Sequence, residues 1–89
     1  MQETSNISVT TNFRVYVEYE KTNRHETKIF KVHADVSKRK KYILICRLSL
    51  NSKNEVTYQA ENTDMICDLL KGEILKKYDS SALLKLIEN

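Results

Sequence analysis

At Asn62 the spacing of apolar residues changes from every second position to the three-and-four spacing of a helix. That switch confines the chain to a sheet followed by helices. Before it, Phe13, Val15, Val17 and Tyr19 alternate with Arg14, Tyr16, Glu18 and Glu20, the signature of a half-buried strand. Phe30, Val32, Ala34 and Val36 repeat the pattern against Lys31, His33 and Asp35. Residues 42–50 (YILICRLSL) are the most apolar stretch. There Tyr42, Leu44, Cys46, Leu48 and Leu50 share the expected core face. Ile43 and Ile45 lie on the other, as in a central strand covered in part on its second side. Val56, Tyr58 and Ala60 continue the core face in a short fourth strand. The links 21–27 (KTNRHET) and 51–54 (NSKN) are polar, the second suited to a hairpin loop.

After Asn62, the residues Ile66, Leu69, Leu70 and Ile74 form a helical stripe with Met65 beside it. Asn62 or Thr63 can cap this helix, and Asp64 at its start and Lys76 and Lys77 at its end suit its dipole. Gly72 falls inside it, pointing to close packing or a kink. Asp79-Ser80-Ser81 is a break and a second N-cap, and residues 82–87 (ALLKLI) read as a short final helix. Short links favour neighbouring antiparallel strands, and a sheet with one apolar face must be covered. The expected architecture is therefore α+β: a four-stranded antiparallel meander sheet with two C-terminal helices packed on one face. Residues 1–12, rich in Ser, Thr and Asn, are expected to be a flexible tail, and residues 13–89 a single domain.

With 89 residues, 40% of them apolar and 30% charged, the chain has the composition of one small globular domain. Its apolar runs fall well short of the ~20 residues that span a bilayer, and its first residues lack the apolar core of a secretory signal. Cys46 and Cys67 sit in apolar stretches and read as reduced core residues. An intracellular protein, nuclear or cytoplasmic, is expected.

Reactive chemistry finds little support. His25 and His33 have no Cys or carboxylate at ligand spacing, so no metal is expected. The alternation turns His33 outward and Cys46 inward, which opposes a catalytic dyad. One glycine cannot build a phosphate-cradling loop. The sequence thus reads as a non-enzyme with no cofactor and no small-molecule substrate.

Charge is unevenly placed. Residues 1–54 hold 11 basic and 5 acidic residues, and residues 55–89 hold 4 and 7. The basic half contains the run Lys38-Arg39-Lys40-Lys41, which suits RNA phosphates or an anionic phospholipid surface, or else a solvated loop guarding the sheet edge. Arg14, Tyr16, Lys31, His33 and Arg47 on the outward strand faces are compatible with nucleic acid, while Glu18, Glu20 and Asp35 oppose it. A different surface is suggested by Ile43 and Ile45 beside Tyr16, and by Leu86 and Ile87 near the C-terminus. An apolar patch with a polar rim marks a protein partner.

Residues 42–50, the link 51–54, the strand 55–60 and two helices broken at Asp79-Ser80-Ser81 together resemble the RWD-like domains of kinetochore proteins, such as the globular ends of coiled-coil kinetochore subunits and of monopolin subunits. The resemblance covers residues 13–89. It implies a non-catalytic docking module in chromosome segregation, paired with a second subunit as a heterodimer or with its own copy. The order of elements is also similar to the phospholipid-binding kinase-associated domain and to small RNA-binding domains, but the helix start Asn62-Thr63-Asp64 lacks the basic residues of the latter.

Overall fold

The computed structural model describes residues 2–8, 12–35, 42–61 and 65–88. Five strands form an antiparallel meander, each paired with the next: β1 (Gln2–Ser8), β2 (Asn12–Thr22), β3 (Lys28–Asp35), β4 (Ile43–Leu50) and β5 (Val56–Ala60). Two helices follow, α1 (Met65–Lys77) and α2 (Ser80–Glu88). This is the α+β meander with two C-terminal helices that the change of period predicts, extended by one strand. The polar segment 1–12, expected to be a tail, supplies β1, which runs along β2 from the pair Gln2–Glu18 to the pair Ser8–Asn12. An edge strand is held by backbone hydrogen bonds, which every residue except proline can supply. Pairing of this kind needs no apolar alternation in the sequence.

One cluster forms the core. The sheet contributes Val15, Val17, Phe30, Val32, Ala34, Ile45, Cys46, Leu48 and Leu50, and the helices Leu70, Ile74, Tyr78, Leu83 and Leu86. Each large aliphatic side chain among them stabilises the fold by about 1.5–3 kcal/mol through removal from water. Of the expected α1 stripe, Leu70 and Ile74 are buried, while the side chains of Ile66 and Leu69 lie outside the described ones. So do Cys67 and the expected caps Asn62, Thr63 and Asp64. Tyr78 extends the same stripe one turn beyond Ile74 and is fully buried at the junction of the helices, its amide donating to the Ile74 carbonyl at 2.8 Å. Gly72 is exposed, and a Cβ there would meet nothing within 4 Å, so close packing does not explain it.

Helix α1 lies against both β5 and β1, the two edge strands. Its 13 residues give a length of about 20 Å, close to the ~19 Å across five strands, so it crosses the sheet from edge to edge. The Lys71 ammonium sits 5.5 Å above the Tyr58 ring where α1 leaves β5. Helix α2 covers β2. The break before it works as expected: the Asp79 carboxylate accepts from the Ala82 amide at 3.0 Å, an N-cap.

Two loops share one construction. In residues 23–27 the Asn23 side-chain oxygen accepts from the His25 and Thr27 amides, at 2.9 and 3.0 Å, and Glu26 has φ 61°. In residues 51–55 Asn51 accepts from the Lys53 and Glu55 amides, both at 2.9 Å, and Asn54 has φ 63°. The asparagine side chain adds to the turn's own backbone bonds, in which the Glu26 amide donates to the Asn23 carbonyl and the Asn54 amide to the Asn51 carbonyl, each at 3.0 Å, and so closes each hairpin. The fourth position must be left-handed, which suits Asn54 better than Glu26.

The ladders contain two irregularities. Between β3 and β4 the register passes from Val32–Cys46 to His33–Leu44, leaving Ile45 as an extra residue, a β-bulge. Such a bulge reverses the faces that follow, so the alternation in 42–44 is opposite to the one expected. Between β2 and β3 the register passes from Tyr19–Phe30 to Lys21–Ile29, leaving Glu20 as the extra residue.

Candidate functional site

Residues directly opposite in a ladder point to the same side of the sheet. The helices cover the side carrying Val15, Val32 and Cys46. The other side presents Tyr16 and Glu18 from β2, Lys31 and His33 from β3, and Leu44 and Arg47 from β4. Tyr42, just before β4, joins them.

The bulge rearranges the partner surface expected from the sequence. Tyr16 is on the open face, as predicted. Ile45 is not: it is 1% exposed and belongs to the core. Leu86 is buried against the same core by α2. Ile43 stands opposite Ala34 on the helix-covered side and is 38% exposed, the one exposed large apolar residue among those described. Tyr16, Ile43, Ile45 and Leu86 therefore do not form one surface. Tyr42 and Leu44, expected in the core, replace the isoleucines beside Tyr16. The basic run Lys38, Arg39, Lys40 and Lys41 lies outside the described residues.

Three rings converge on the open face. The Tyr16 ring is 5.6 Å from the His33 ring, inclined at 67°, and 5.9 Å from the Tyr42 ring, inclined at 52°. Tilted rings at these distances attract edge to face. With Glu18 they bound a cleft of about 350 Å³. The Tyr16 hydroxyl donates to Glu18 Oε2 at 3.0 Å. That bond, more than burial or the carboxylate's charge, raises the Tyr16 pKa above its ordinary value. Burial lowers the His33 pKa; Glu18 pulls it back up, and Lys31 and Arg47 push it further down. His33 Nδ1 is buried and has no hydrogen-bond partner among the described residues, which suits a neutral imidazole.

Beyond the cleft lies an ionic cluster. Glu20, placed by its bulge, receives Lys31 Nζ at 3.8 Å and Arg47 Nε at 3.4 Å, and Arg47 also bonds Glu61. The Glu61 amide donates to the Ile45 carbonyl at 3.1 Å, tying the end of β5 to the bulge. Among the described residues no cation pairs with Glu18. Arg14 is exposed and stands opposite Asp35.

Cys46 and His33 lie on opposite sides of the sheet, as the alternation predicts. Among the described residues no three His, Cys, Asp or Glu side chains group as metal ligands, and no helix is long and apolar enough to cross a membrane. No protein-family model, curated protein or solved structure matches this chain.

Proposed function

We propose that this chain is a non-catalytic docking module that binds another protein subunit through the open face of its sheet. One observation carries the reading: on the face away from both helices, Tyr16, Tyr42 and His33 cluster with half-buried Leu44 beside them and a charged rim of Glu18, Lys31 and Arg47 around them. An aromatic centre with a polar margin is the composition of a binding surface. The resemblance to RWD-like kinetochore domains supports the same reading through the order of strands and helices, and would place the module in chromosome segregation, in the nucleus or cytoplasm.

The test is photo-crosslinking from the sheet face. Benzoylphenylalanine in place of Tyr42 is expected to give one adduct of defined mass, and the same group at exposed Lys76 on α1 none. The purified partner should then bind the native chain and lose binding to Leu44→Lys, with the circular dichroism unchanged. Equal capture from both positions, or binding indifferent to Leu44→Lys, overturns the reading. An RNA adduct would transfer the function to phosphate recognition by the basic run.

A further inference from the structure

The cleft on the open face has a chemistry more specific than an apolar patch. Among the described residues its walls are two phenol rings and an imidazole, and their one charged neighbour in the lining is a carboxylate. Ring faces are electron-rich and attract cations. Glu18 uses Oε2 to accept from Tyr16, which fixes the carboxylate and leaves Oε1 as an acceptor. Among the described residues the cations whose charge reaches His33 have carboxylate partners outside the cleft: Lys31 turns to Glu20, and Arg47 is shared by Glu20 and Glu61. The cleft is thus a carboxylate among π faces with no cation supplied by the described residues.

We infer that this cleft receives the guanidinium of an arginine side chain presented by the partner protein. The inference rests on the docking reading above and names what the partner must bring. Guanidinium fits better than ammonium for two reasons. It is planar and weakly hydrated, so it stacks on tilted rings, and its fork of donors matches a carboxylate held in place. A cleft of about 350 Å³ is also roomy for a single ammonium group.

The experiment titrates the ¹⁵N-labelled chain with N-acetyl-arginine amide, N-acetyl-lysine amide and N-acetyl-citrulline amide, reading amide shifts. Citrulline has nearly the shape of arginine without its charge. Arginine is expected to move the signals of Tyr16, Glu18, His33 and Tyr42, lysine to do so several-fold more weakly, and citrulline not at all. Glu18→Gln should weaken the arginine response about tenfold, the size expected for one charge-assisted bond. Tyr42→Leu should weaken it too, with signal dispersion intact in both variants. A citrulline response equal to that of arginine, lysine binding as tightly as arginine, or an unaltered Glu18→Gln, overturns the inference. The two readings fail separately. A partner that crosslinks at residue 42 while the cleft ignores charge leaves docking and removes the arginine site. An arginine-selective cleft with no protein at the sheet face removes docking, and with it the partner as the source of the arginine.

Discussion

Ile45 and Cys46 are neighbours in the chain, yet both enter the core on the same side of the sheet. Regular strand geometry forbids this, since successive side chains point to opposite faces. The bulge permits it, and it decides which residues form the open surface. Ile45→Ala should therefore cost about 2–5 kcal/mol, as for other buried aliphatic truncations. Ile43→Ala, two positions away and partly exposed, should cost under about 1 kcal/mol. Equilibrium urea unfolding measures both. Equal losses would mean that the strand runs in regular register.

The shared construction of the two asparagine loops gives a second test. Glu26 holds a left-handed backbone that Asn54 holds in the matching loop. Left-handed geometry costs an ordinary residue about 1 kcal/mol or more, and asparagine or glycine less. Glu26→Asn and Glu26→Gly should each raise stability by several tenths of a kcal/mol. A fall in the urea midpoint for both would show that the Glu26 side chain contributes more than its backbone costs.

Gly72 sits exposed within α1 with open space where a side chain would be. Gly72→Ala should stabilise by about 0.5–1 kcal/mol, through helix propensity and a less disordered unfolded chain. For a domain of this size that corresponds to a rise of several degrees in Tm, about 4–8 °C per kcal/mol. Calorimetry reads it directly. An unchanged or lower Tm would mean that the folded chain itself has no room for a side chain at this position.

His33 gives the fold an acid-side dependence. Its value lies below the ordinary 6.5 because the ring is partly buried, with Lys31 and Arg47 adding to the effect and Glu18 opposing it. Above that pH the ring is neutral folded and unfolded, and contributes no slope. Below it the unfolded chain takes up the proton first, so stability falls with pH until the folded imidazole protonates too. Tyr16, which flanks the ring and whose pKa is raised, is neutral throughout this range. Urea midpoints between about pH 7.5 and 5 should show this component in the native chain and lack it in His33→Gln. Identical profiles would sink the assignment, as would an imidazole that titrates above 6.5 by NMR.

Most of the architecture was legible because its physics is local. Val15 and Val17, and Phe30 with Val32 and Ala34, announce half-buried strands by simple alternation. Asp79 announces a helix start by its cap. What escaped the sequence had other causes. In residues 42–46 nearly every residue is apolar, so alternation assigns no face and a bulge leaves no trace. That ambiguity put Tyr42 and Leu44 in the core and Ile45 outside, and hid two members of the aromatic surface. β1 escaped because it pairs through its backbone. Tyr78 was within reach, since it continues the spacing of Leu70 and Ile74, but it falls beside the helix break and reads as part of the link.

The span of α1 from one sheet edge to the other bears on how the chain acquires its structure. The strands can zip by neighbouring hairpins, each closing a short loop. The contact between α1 and β1 instead joins the first element to the sixth and is among the most distant closures in the molecule. On a ribosome, β1 emerges ahead of the other four strands and meets its helix only after the residues between them, 9–64, have been made. Until then one face of the sheet is bare. The growing polypeptide passes through a stage with an uncovered apolar surface, when chaperone contact or self-association competes with completion of the fold.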